Sequence, residues 1–154
     1  AADCGSVHQD HDHAPLYCGI KEKPFLIKPK LPEIEAIMKK ELRTLRALRD
    51  AALFLMGYGA QNVVISMGKY GAMLVEHEGS YFAPAIPVAA RSTVGAGDAM
   101  LGGLLYGLSR GGGLLEAFRC GVAAGAASVM TDGTQLLQKQ DFEALLPKVT
   151  VQEV

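Results

Sequence analysis

The chain has 154 residues and a mass of 16.3 kDa, about the size of one ordinary domain. Its hydrophobic share of 49% and charged share of 20% are globular values and exclude a disordered chain. Lys+Arg 15 against Asp+Glu 16 leaves a net charge of −1, so neither nucleic acid nor an anionic membrane is expected as a partner, since both select an excess of positive charge.

Mean hydropathy is positive at +0.18, yet no apolar stretch approaches the roughly 18 residues of a membrane span. Asp98 interrupts one candidate, and the run from Gly121 to Met130 is too short. The N-terminus reads Ala1-Ala2-Asp3, with neither an initiator Met nor a signal-peptide pattern, and sequence upstream is expected to be missing. Three cysteines, Cys4, Cys18 and Cys120, show no CxxC spacing. A sparse, odd set of thiols suits a reducing, cytoplasmic location better than a disulfide framework.

Residues 1–24 are expected to be irregular: His8, Asp10, His11, Asp12 and His13 crowd together without apolar periodicity. Phe25-Leu26-Ile27, bounded by Pro24 and Pro29, reads as a buried strand of a parallel sheet. Pro32 and Glu33 open a helix that places Ile34, Ile37 and Met38 on one face. A second helix is predicted from about Thr44 to Met56, with Leu45, Leu48, Ala52 and Leu55 inward and Arg43, Arg46 and Arg49 outward. Gly57 and Gly59 then end it. Asn62 to Ser66 is a buried strand, and Ala72–Glu76 with Ser80–Ala83 reads as a hairpin around Glu78-Gly79. Helices follow the Gly95 region to about Leu108, then span about Leu114 to Met130 and about Lys139 to Leu146. Strands alternating with helices predict an α/β fold with a mostly parallel sheet and helices on its faces.

The chemistry concentrates in Thr93-Val94-Gly95-Ala96-Gly97-Asp98-Ala99. Small residues stand where a strand is expected to hand over to a helix, and unpaired N–H groups at a helix N-terminus attract phosphate. Asp98 falls in the first turn, where a carboxylate can accept the proton of a nearby hydroxyl. An anion cradle with one base is a minimum for phosphoryl transfer to an alcohol. The alternative is a plain glycine-rich turn in which Asp98 complements the helix dipole. GxGxxG fails because Met100 takes the last glycine position, and GxxxxGK[ST] is absent because Tyr70 follows Gly68-Lys69. Two further segments, Ile27 to Glu33 and Val64 to Ala72, end predicted strands, where open α/β sheets bind ligands.

Together these stretches resemble the C-terminal half of the ribokinase/PfkB family of sugar kinases. The family's Asn-x-x-Glu, Ser-x-Gly-x-x-Gly and Gly-Ala-Gly-Asp segments recur in order as "FLIKPKLPEIE", "NVVISMGKYGAMLV" and "STVGAGDAMLGGLLYGL", followed by "GVAAGAASVM". The similarity runs through about residues 15–150. Within the family it leans to the sugar-phosphate branch, with 1-phosphofructokinases first and tagatose-6-phosphate kinases next.

The resemblance implies a ribokinase-like, Rossmann-like three-layer fold, of which residues 25–150 are the C-terminal part and residues 1–24 adjoin the truncation. It implies ATP and Mg²⁺, a sugar-phosphate substrate, and conversion of fructose 1-phosphate to fructose 1,6-bisphosphate. Asp98 is then the base, and the N–H groups of Gly95, Ala96 and Gly97 the anion hole. Lys28, Ser66, Gly68, Gly71 and Thr93 border the nucleotide, Ala123 to Ala127 lie near its adenine, and Glu33 organises Mg²⁺ through water. Full-length relatives are expected to be homodimers that carry their sugar-binding residues in the other half. A chain lacking that half is expected to be either a catalytic fragment or a nucleotide-binding remnant.

Three positions depart from the family pattern. Lys30 replaces the Asn of Asn-x-x-Glu, Ala99 replaces a hydroxyl residue, and Ser92 stands where relatives often carry an Asp linked to monovalent cations; potassium dependence is therefore not expected. Elsewhere, plain readings are preferred. The Arg43/Arg46/Arg49 row is a solvated face balanced by Glu41 and Asp50, Cys120 is a core residue, His77 is exposed, and Gly121 to Ala127 allow close helix packing. The histidine cluster has a metal-site alternative to its reading as a polar leader.

Overall fold

A computed structural model describes residues 22–132 and 137–154. The histidine cluster, Cys4 and Cys18 lie outside the described residues. The elements in chain order are α1 (Leu31–Met38), α2 (Leu45–Gly57), β1 (Val63–Ser66), β2 (Ala72–Glu76), β3 (Gly79–Ala83), α3 (Ala96–Ser109), α4 (Gly113–Val129), α5 (Lys139–Leu145) and β4 (Gln152–Glu153). Single 3₁₀ turns at Gly68–Tyr70 and Leu146–Lys148 complete them.

The regular strands run in the order β1-β2-β3-β4. Only residues 67–71 join β1 to β2, too few for a parallel crossover, and a two-residue loop at His77-Glu78 closes the β2–β3 hairpin, so these neighbours are antiparallel. The parallel pairing among the described residues lies on the other side of β1, in the bridges Ile27 to Val63 and Lys30 to Ser66. The Ile27 N–H donates to the Asn62 carbonyl at 3.1 Å, and the Val64 and Ser66 N–H groups donate to the carbonyls of Ile27 and Pro29 at 2.9 and 3.1 Å.

The strand expected at Phe25-Leu26-Ile27 is thus reduced to bridges. Pro24 and Pro29 supply no N–H to a ladder, and Phe25 is 50% exposed rather than buried. No strand leads directly into α3 either. Residues 84–90 are irregular, and Pro84 and Pro87 remove two donors from that stretch.

The chain divides into two compact units. Among the described residues, one takes in 22–67, with Met73–Tyr81 and Val154. Here α1 buries Ile34 and Ile37, while Met38 is only half-buried. In α2, Thr44 caps the N-terminus by accepting from the Ala47 N–H at 3.0 Å, and Leu48, Ala51, Ala52 and Leu55 face inward. The three arginines at 43, 46 and 49 are exposed, and Arg43 pairs with Glu41, as a solvated face requires. Packing of α2 against the wholly buried Val63-Val64-Ile65 forms this core.

The other unit comprises Gly68–Ala72 and Phe82–Glu153. Its core is the antiparallel pair α3 and α4, in which Leu104, Ala117, Phe118, Ala123 and Ala127 are fully buried. Small residues set the interhelical distance: a Cβ on Gly103 would stand 2.5 Å from the Cys120 carbonyl oxygen, and one on Gly107 would stand 2.5 Å from Ala117 Cα. No described helix is long and apolar enough to cross a membrane.

Candidate active site

The turn before α3 is built by local hydrogen bonds. The Arg91 and Ser92 N–H groups both donate to the Val129 carbonyl, at 2.7 and 3.2 Å, tying the loop to the end of α4. Ser92 Oγ then accepts from the Val94 N–H at 3.2 Å, turning the chain toward the helix. Gly95 is the N-cap, with φ 83° and ψ 0°. A left-handed backbone there excludes most side chains and explains why a glycine is needed. No atom lies within 4 Å of where its Cβ would be, so the space beside it is open.

The donors at this turn differ from one another. The Ala96 N–H donates to the Thr93 carbonyl at 3.3 Å, while the N–H groups of Gly95, Gly97 and Asp98 make no hydrogen bond among the described residues. Helix geometry accounts for this, because the first-turn N–H groups have no preceding carbonyl to bond. The Asp98 N–H is a donor that the sequence reading did not include. The exposed carboxylate of Asp98 sits in the same first turn, and Thr93 and Gly95 are exposed beside it in the chain. The turn therefore offers unpaired donors for an anion and a solvent-accessible base.

The remaining expected residues fall into two local groups. In the first unit, parallel pairing with β1 sets Ser66 opposite Lys30, at the carboxyl end of the bridge. Lys28 is half-buried in the same stretch, and α1 starts immediately after it. Glu33 Oε1 accepts from the Lys30 N–H at 3.3 Å, so this carboxylate also caps its own helix. In the second unit, Gly68 is exposed with φ +55° and open space at its Cβ position. Gly71 is different. Its φ is +101°, and a Cβ would stand 2.1 Å from the Ala83 carbonyl oxygen, so its glycine is demanded by packing. Thr93, Gly95, Ala96, Gly97 and Asp98 are brought together in this unit by one turn.

Cys120 is buried, as its apolar helix predicts. Burial pushes its thiol above the ordinary range, and the neighbouring Glu116 carboxylate adds to this, against the opposing charges of Arg110 and Arg119. It is held as a protonated core group, unlike a reactive thiolate. The Gly121 to Ala127 stretch is likewise explained by helix packing: a Cβ on Gly121 would stand 2.9 Å from Leu104 Cγ.

Residues 7–141 match the profile of the pfkB family carbohydrate kinases. The chain is 36% identical over 143 residues to a 1-phosphofructokinase of Haemophilus influenzae, covering 92% of this chain and 46% of that protein. It is 41% identical over 120 residues to an ATP-dependent 6-phosphofructokinase isozyme 2 of Mycobacterium tuberculosis, covering 77% of this chain and 35% of that one. The crystal structure of phosphofructokinase-2 from Escherichia coli in complex with substrates and products superposes with a TM-score of 0.80 at 29% identity, covering 97% of this chain and 53% of the other. The chain thus spans less than half the length of these curated relatives. With most of its length inside the family profile and its fold shared with solved phosphofructokinases, the chain belongs to the pfkB family of carbohydrate kinases.

Proposed function

We propose that the chain carries the nucleotide and catalytic half of a sugar-phosphate kinase, with fructose 1-phosphate as phosphoryl acceptor and ATP as donor. The observation that carries this reading is the α3 turn, where unpaired N–H groups adjoin the exposed Asp98 carboxylate. Asp98 takes the proton from the acceptor hydroxyl as that oxygen bonds to the γ-phosphorus of ATP and ADP departs. The N–H groups of Gly95 and Gly97 stabilise the charge on the transferring group, joined by Asp98 N–H and by Ala96 once its long bond to Thr93 opens. Each unit carries its own nucleotide candidates by the family resemblance: Lys28 and Ser66 in the first, and Gly68, Gly71 and Thr93 in the second.

Among the described residues no group of three or more His, Cys, Asp or Glu is poised to hold a metal. Mg²⁺ keeps several waters and is bound mainly through nucleotide phosphates with one or two carboxylates. Glu33 fits the role of a single outer carboxylate, tempered by its hydrogen bond to the Lys30 N–H. Bound Mg²⁺ would supply charge neutralisation on the phosphates.

A second reading is favoured by the length of the chain relative to its matches. In that reading the chain, which covers 46% of a relative, binds nucleotide without turning over a sugar phosphate by itself. The two readings separate in a coupled ADP-release assay with fructose 1-phosphate, fructose 6-phosphate and tagatose 6-phosphate, run beside Asp98→Asn. Turnover strongest with fructose 1-phosphate and lost in the variant supports the kinase reading. ATP binding with no turnover above the variant supports the module, and a preference for another sugar corrects the substrate.

A further inference from the structure

The second unit contains a cavity of about 700 Å³ between α3, α4 and α5, a volume typical of small-molecule sites. Of the residues assigned to the proposed chemistry, only Ala124, in the stretch expected near the adenine, lines it. Gly102 leaves part of its wall without a side chain, and Tyr106 and Phe142 line it further round. Their rings meet edge to face, with centroids 5.8 Å apart and planes at 89°, a corner into which a third ring can stack. The Arg110 guanidinium lies over the Tyr106 ring, 5.5 Å from its centroid.

Charge around the opening is uneven. Glu116 and Glu143 are matched with Arg119 and Lys139, each at 3.7 Å, whereas Arg110 has no ion-pair partner among the described residues. At the back, Cys120 is only 4% exposed and lines the cavity. An apolar, aromatic-lined space with one unmatched cation at its opening fits a flat, negatively charged guest.

We propose that this cavity binds a planar aromatic ring carrying one anionic group, with the ring in the Tyr106–Phe142 corner and the anion against Arg110. The test uses 2-naphthoate as probe and neutral 2-naphthalenemethanol as control, titrated into the 154-residue chain by calorimetry and saturation-transfer NMR. Saturable 2-naphthoate binding is expected, weakened about fivefold by Arg110→Gln, with the neutral probe indifferent to that change. Gly102→Leu is expected to abolish binding of both, because its side chain extends into space that no atom within 4 Å of the Cβ position occupies. Should that variant fold poorly, Arg110→Gln on the exposed rim still decides the matter. Absence of saturable binding at millimolar probe, or binding unchanged in Arg110→Gln, overturns the proposal.

Discussion

Two sets of glycines along α3 and at its N-cap behave in opposite ways. At Gly95 and Gly102 the position of an added Cβ is empty to 4 Å, while at Gly103 and Gly107 it is 2.5 Å from backbone of α4. The first kind leaves room for something that is not protein; the second lets two helices close on each other. Glycine content alone therefore says little about phosphate binding, and position within the helix decides which role applies. The open glycine at the helix start coincides with the unpaired donors and with Asp98.

The contrast can be broken or sharpened by substitution. The largest effect is expected at the chemistry itself: Asp98→Asn should lower any phosphoryl-transfer rate by about 100- to 10,000-fold, measured by ADP release, with an unchanged melting temperature. Loss of both activity and stability would move Asp98 to a structural role. Next comes the crowded interface. Gly103→Ala should destabilise by about 1–2 kcal/mol in urea unfolding, because overpacking against the Cys120 carbonyl exceeds the gain in helix propensity.

Gly95→Ala is expected to cost about 1 kcal/mol, from backbone strain at φ 83°, and to weaken ATP more than it weakens the fold. Equal stability losses for Gly95→Ala and Gly103→Ala, with ATP affinity intact, would erase the distinction. The smallest effect has the opposite sign. Gly102→Ala, on an exposed stretch with room for a methyl, should stabilise by about 0.5–1 kcal/mol, read from the same unfolding curves.

Helices were the legible part of the sequence, because their cores and caps are local. Thr44 caps α2, Gly95 caps α3, and Leu48, Ala52 and Leu55 fall on the buried face that their spacing foretold. The hairpin around Glu78-Gly79 was equally plain, with Gly79 joining β3. Pairing was less legible, since it depends on partners distant in sequence. Phe25 to Ile27 has a strand's composition, yet flanking prolines reduce it to bridges. In the candidate site, the order of motifs located the α3 turn. The bond from Ala96 to Thr93, the cap from Glu33 to Lys30, and the crowding at Gly71 appear only with backbone geometry.

The most direct test is the amide spectrum of the chain as Mg²⁺-ATP is added. A phosphate cradle at the start of α3 predicts saturable shifts of the Gly95, Gly97 and Asp98 N–H signals, with Gly107, packed against Ala117, unmoved. Unchanged Gly95, Gly97 and Asp98 signals at millimolar Mg²⁺-ATP would contradict it.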